Sequence, residues 1–91
     1  MALSLKLTRQ VGRFIKALLP KQYKQVVSTV LSLLSNPEPH DSKLLKGSKD
    51  RNRGVDIGEY RAVYRVEGDS LFVLVVGKRN DDEVYKILDR M

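Results

Sequence analysis

Between Asn36 and Asn52 the apolar spacing of the chain changes character, and this change constrains the fold more than any other feature. Before it, hydrophobic residues recur at a helical period of about 3.6; after it, they recur at a period of about two. Val11, Phe14, Ile15 and Leu18 fall at i, i+3, i+4 and i+7, with Arg9, Arg13 and Lys16 on the other side. That spacing predicts a short amphipathic helix, N-capped by Thr8 and ending near Leu19. Pro20 suits the first turn of a second helix, in which Tyr23, Val26, Val27, Val30, Leu31 and Leu34 repeat the spacing as far as Ser35. Phe14 and Tyr23 share these stripes and are expected in the core. The two helices should form an antiparallel hairpin. Asn36, Pro37 and Pro39 stop it, because proline lacks the backbone donor and disfavours helical geometry in the residue before it.

Ahead of the first helix, Leu3, Leu5 and Leu7 alternate with Ser4 and Lys6 as in a half-buried strand. Residues 40–50 are irregular, polar and basic, an exposed loop with Leu44 and Leu45 as anchors. Residues 52–57, 60–67 and 70–78 read as three strands, the last a near-continuous apolar run suited to the middle of a sheet. Gly68 and Asp69 make a two-residue hairpin turn, which sets Glu67 opposite Ser70 and, counting back, Arg61 opposite Val76. This register places Arg61 and Lys78 on one face and Arg79 on the other, unless Gly77 permits a bulge. Residues 80–90 form a short helix: Asn80 caps it, Asp81 and Asp82 favour its positive end, and Glu83 completes a capping box. The order β, α, α, β, β, β, α implies an α+β fold. Its parts are an N-terminal strand, an antiparallel helical hairpin packed on an antiparallel sheet of about four strands, and a short C-terminal helix.

Composition narrows the function classes. A length of 91 residues fits one domain, 1–91, with a marginal core. The absence of Cys excludes disulfide scaffolds, thiolate zinc sites and cysteine nucleophiles, and with no apolar signal segment it favours a cytoplasmic protein. The apolar run 71–76 is too short to span a bilayer, so no membrane partner is expected. The net charge of +6 is uneven, since residues 1–53 carry +8 and residues 54–91 carry −2. The densest basic stretch is Lys43, Lys46, Lys49, Arg51 and Arg53, broken only by Asp50. Such a stretch suits a nucleic acid or an acidic protein segment, and equally a solvated loop. His40 is the one histidine and stands in the loop, which leaves a catalytic triad or histidine metal site without support. Asp81, Asp82 and Glu83 suit helix capping better than metal ligation, and no metal or cofactor is expected.

The hairpin register and the following helix bring Arg61, Lys78, Arg79 and Tyr85 to one edge of the sheet. Guanidinium groups offer phosphate a planar fork of permanently charged donors, and a tyrosine adds stacking or proton transfer. Metal-free RNA cleavage needs cations to stabilise the phosphorane charge, an acceptor for the 2′-hydroxyl proton and a donor for the leaving 5′-oxygen. The same residues also suit surface pairing of the arginines with Glu59, Asp81 or Asp82, with Tyr85 packed on the sheet.

Along nearly its whole length the sequence resembles toxins of the RelE/ParE superfamily from bacterial type II toxin–antitoxin systems. The likeness lies in the Asn36-Pro37 helix end, Lys43-Leu44-Leu45-Lys46-Gly47, Gly58-Glu59-Tyr60-Arg61-Ala62-Val63-Tyr64, and Val76-Gly77-Lys78-Arg79 followed by Glu83-Val84-Tyr85. It implies the RelE-like toxin fold and a small acidic cognate antitoxin, through which alone operator DNA would be contacted. For the RelE branch it implies metal-independent endonucleolytic cleavage of mRNA in the ribosomal A site. By this resemblance Arg61 and Arg79 hold and stabilise the scissile phosphate, and Tyr85 stacks on or orients the substrate. Lys78, Lys46, Lys49, Arg51 and Arg53 then bind substrate. RelE toxins carry two basic residues on the strand before Gly-x-Tyr-Arg, one a general base; here Gly54 and Asp56 stand near those places, which makes Asp56 the candidate base. Two other activities share the fold: inhibition of DNA gyrase, as in the ParE branch, and antitoxin binding with co-repression by a degenerate toxin.

Overall fold

The computed structural model describes residues 3–45, 51–80 and 83–90. Its elements are β1 (Ser4–Leu7), α1 (Arg9–Lys16), α2 (Pro20–Leu33), β2 (Lys43–Leu44), β3 (Arg53–Ile57), β4 (Tyr60–Glu67), β5 (Ser70–Lys78) and α3 (Glu83–Asp89). The five strands form one sheet in the order β1-β5-β4-β3-β2. The α+β class and the helical hairpin agree with the sequence reading, and the sheet differs from it in two ways. β1 runs parallel to β5, so the sheet is mixed. Lys43 and Leu44, expected in a loop, pair with Gly54 and Arg53 as a fifth, two-residue strand. Alternation marks a strand without giving its direction, and two residues are too few to show a period.

β4 and β5 pair from Glu67↔Ser70 to Tyr64↔Val73 as the Gly68-Asp69 turn dictates, Gly68 supplying the positive φ of 58° that a tight hairpin needs. The register then shifts by one residue: Val63 faces Val75, and Arg61 faces Gly77 instead of Val76. The extra residue is Leu74. Leu74 and Val75 consequently both turn toward α3, whereas Val73 and Val76 pack under the hairpin. The edge of β5 beyond the end of β1 is closed by side chains from the start of α1. The Thr8 hydroxyl donates to the Leu74 carbonyl at 2.7 Å while its oxygen caps α1 at Val11 N–H. The Gln10 amide donates to the Val76 carbonyl at 2.9 Å and accepts from the Val76 N–H at 3.1 Å.

The sheet is covered on both faces. On one, Val11 and Ile15 of α1 and Val26, Val30 and Leu33 of α2 pack on Val55, Ile57, Tyr60, Ala62, Tyr64, Leu71, Val73 and Val76. Phe14 meets Tyr60 edge-on at 5.5 Å, as expected of a core residue, but Tyr23 is 46% exposed because the buried stripe of α2 runs through Val26, Val30 and Leu33. The buried Tyr64 donates its phenol proton to the Pro37 carbonyl at 2.6 Å, fastening the end of the hairpin to the sheet. On the other face Val84 of α3 is fully buried against Val63, Leu74 and Val75, flanked by Tyr85, Ile87, Leu88 and Leu45. The capping roles assigned to Asp81 and Asp82 lie outside the described residues. Among the described residues no helix is long and apolar enough to cross a membrane.

Candidate functional site

Strand parity decides which side chains meet on the α3 face. Val55 and Ile57 of β3 enter the hairpin core, so Gly54 and Asp56, which alternate with them, face α3. Asp56 stands directly across from Arg61 of β4, and Arg61 across from Gly77 of β5. Gly77 bears no side chain, and a Cβ there would stand 3.3 Å from Val84 Cγ1, so α3 sits close against the strand. That close seat brings Tyr85 over Arg61. The one-residue shift at Leu74 also moves Arg79 onto this face, opposite to the sequence expectation. It sends Lys78 to the hairpin side, where it is exposed across from Tyr60. The sequence-predicted group therefore divides: Arg61, Arg79, Tyr85 and Asp56 come together, and Lys78 does not join them.

Asp56 is the hub. Its Oδ1 accepts from Arg61 Nε at 2.7 Å, and its Oδ2 lies 3.6 Å from Arg79 Nη1. Arg61 Nη1 donates to the Tyr85 hydroxyl at 3.0 Å, and the guanidinium carbon lies 5.8 Å from the centre of the Tyr85 ring, within cation–π range. Arg79 is anchored by its backbone N–H on the Glu59 carbonyl at 3.1 Å, and its side chain is half exposed at the rim. The hydrogen bond from Arg61 holds the Asp56 carboxyl below its ordinary pKa, against the opposing effect of burial, and the charges of both arginines add to the lowering. The same bond raises the Arg61 guanidinium, with a smaller contribution from Tyr85.

Asp56, Arg61 and Tyr85 border a cleft of about 230 Å³ whose lining also includes Asp41, Lys43, Leu45 and Gly54, and Arg79 lies beside it, joined through Asp56. Gly54 forms its floor: a Cβ there would sit 3.4 Å from Leu45 Cδ2 and 4.0 Å from Arg61 Cδ, so any larger side chain would fill the space. Asp41 was not singled out by sequence reasoning, and Lys43 was read only as part of the basic stretch. Pairing of Lys43 with Gly54 is what turns Lys43 to the cleft, and that pairing has no sequence signature. Of the basic stretch, Arg53 shares the parity of Val55 and faces away, held by Glu38 at 3.2 Å and Ser42 Oγ at 3.0 Å. Arg51, with φ of 58°, borders a second recess with Arg53, Leu44 and Val66. Lys46 and Lys49 lie outside the described residues. Chemically, the cleft offers the Arg61 guanidinium, an ammonium and a phenol to an anionic ligand, with the Arg79 guanidinium beside it on the far oxygen of Asp56. The phenol oxygen already accepts from Arg61, which leaves its own proton to donate.

The family model for the ParE toxin of type II toxin–antitoxin systems (parDE) matches residues 5–83. No curated protein sequence gives a significant match. Among solved structures the chain is similar to an E. coli RelE toxin variant in the free state, in which two arginines are replaced by alanine. The TM-score is 0.77 at 26% identity, covering 100% of this chain and 99% of that one. It is similar in fold to the toxin of the archaeal RelE–RelB complex from Pyrococcus horikoshii, with a TM-score of 0.77, 23% identity and coverage of 89% and 99%. The intact E. coli RelBE toxin–antitoxin complex gives a TM-score of 0.73, 24% identity and coverage of 87% and 99%.

Proposed function

The chain belongs to the ParE toxin family of type II toxin–antitoxin systems, and from that premise we propose that it is a ribosome-dependent endoribonuclease. It cuts mRNA in the ribosomal A site, inhibits translation, and is neutralised by a cognate antitoxin. The observation that carries this reading is the meeting of Arg61 and Tyr85 in one cleft on the α3 face, with Arg79 beside it and joined to them through Asp56. Two of the similar structures are RelE–RelB complexes, which supports an antitoxin of that kind as partner.

In this reading the 2′-oxygen of one nucleotide attacks the adjacent phosphorus and the bond to the 5′-oxygen breaks, giving a cyclic phosphate and, once the Tyr85 phenol or a water has given that oxygen a proton, a free 5′-hydroxyl. Arg61 and Arg79 meet the non-bridging oxygens, where charge builds in the transition state. Tyr85, its oxygen fixed by Arg61, stacks on or orients the substrate. Asp56 is the candidate acceptor of the 2′-hydroxyl proton once the phosphate has taken its place between the arginines, and Lys43 adds positive charge to the cleft lining. Lys78, Arg51 and Arg53 contact RNA outside the cleft, and Lys46 and Lys49 also bind substrate.

The test is induction in cells lacking the antitoxin, followed by primer extension on an abundant transcript with translation running or blocked. Cuts inside codons that disappear when translation is blocked support the proposal. One observation favours a second reading, inhibition of DNA gyrase. β3 presents Gly54 and Asp56 to the cleft and no cation, and Asp56 offsets the arginine charge. Gyrase-dependent DNA breakage without transcript cuts would select that reading, and absence of growth arrest would leave antitoxin binding and co-repression.

A further inference from the structure

We infer that Asp56 is a built-in competitor for the substrate: its carboxylate occupies the anion seat between Arg61 and Arg79, and an RNA phosphate reaches that pair by displacing it. The inference rests on reading the cleft as a phosphate site. Carboxylate and phosphate use the same guanidinium fork, so one anion on these donors excludes another. Asp56 divides its two oxygens between the two arginines, at 2.7 and 3.6 Å, which is the bridging role assigned above to the scissile phosphate. Its side chain is 45% exposed, so it can turn out to water when displaced.

Arg61, Arg79 and Lys43 face Asp56 and Asp41, so these five groups sum to only +1. A free phosphate or a loose RNA strand therefore gains little on entering. A strand already held at other points can afford to expel the carboxylate, because its phosphate arrives at high effective concentration. Asp56 thus sets selectivity for RNA that is presented to the protein, and against RNA in solution.

The experiment is titration of the purified protein with inorganic phosphate at neutral pH and low salt, followed by heteronuclear NMR, for the wild type and Asp56→Asn. Asparagine keeps an acceptor for Arg61 and removes the charge. Phosphate should bind Asp56→Asn on the order of tenfold more tightly, the scale of removing one like charge a few ångströms away. Adding Arg79→Ala should abolish the gain. Equal or weaker binding by Asp56→Asn overturns the inference, since Asp56 would then be organising the arginines for phosphate. Asp56→Ser, carried through the same titration, gives the second reading should Asp56→Asn not fold. Because no ribosome is present, the outcomes separate. A phosphate gain with no transcript cutting by the wild type leaves the competitor in place and removes the nuclease, and the reverse pattern removes the competitor alone.

Discussion

At the residue scale, the cleft depends on one arginine in three contacts. Arg61 binds Asp56, donates to Tyr85 and lies against the Tyr85 ring, so its guanidinium is held in one orientation before any ligand arrives. Fixed donors aimed at developing charge are the strongest single aid to phosphoryl chemistry, and removing one costs roughly a hundred- to a thousandfold in rate. Arg61→Ala should lower single-turnover cleavage by about that factor with little change in thermal stability, and Arg61→Lys should recover only part, since an ammonium lacks the fork. The Asp56 carboxyl, whose pKa is lowered mainly by the Arg61 hydrogen bond, stays ionised at every pH above its ordinary value near 3.8. Its contribution to stability is thus fully present above that value and is lost as pH falls through the lowered folded pKa. Both partners of the pair are partly exposed, so the effect is small. Melting curves at pH 7 and pH 3 should show a larger acid loss for the wild type than for Asp56→Asn. Arg61, Arg79, Tyr85 and Asp56 were each legible in the sequence as candidates at the ends of adjacent elements, and the structure brings them together. The face taken by Arg79 was not, because in the run of apolar residues from 71 to 76 no polar residue reports parity, and the shift at Leu74 leaves no mark.

At the element scale, the Leu74 bulge and Gly77 together position α3. The bulge gives α3 two neighbouring apolar contacts, and Gly77 lets Val84 approach the strand to van der Waals distance. Gly77→Val should displace α3, carry Tyr85 away from Arg61 and abolish cleavage, visible as faster amide exchange in residues 83–89 while the core strands stay protected. On the other face, Tyr64→Phe removes the hydrogen bond to Pro37 and should cost about 0.5–1.5 kcal/mol, measured by denaturant unfolding. The helices were legible from period and caps: Thr8 caps α1 and Pro20 opens α2 as expected. The parallel pairing of β1 and the short strand β2 were not, because both depend on contacts between distant segments.

At the scale of the whole molecule, charge is sorted between the faces. Residues 1–37 contain Lys6, Arg9, Arg13, Lys16, Lys21 and Lys24 and no acid, and five of these cations lie on the helical hairpin, exposed to solvent. Lys78, turned to that side by the bulge, adds to them. The hairpin face should therefore bind RNA phosphates electrostatically while the opposite face does the chemistry. Lys21→Glu with Lys24→Glu should weaken ribosome association and flatten its dependence on salt, read from log K against log salt concentration, without changing the melting temperature. The uneven charge was legible in the sequence; which face received each cation required the register.

Cleavage of RNA on the ribosome by the α3-face cleft can be measured directly. Purified protein should be added to ribosomes carrying a defined mRNA with an open A site, and to the same mRNA free in solution, in parallel with folded Arg61→Ala and Arg79→Ala variants. The prediction is cleavage within the A-site codon on the ribosome, far slower cleavage of the free mRNA, and a loss of at least about a hundredfold in each variant. Intact mRNA with the wild type, or undiminished cutting by both variants, would contradict it.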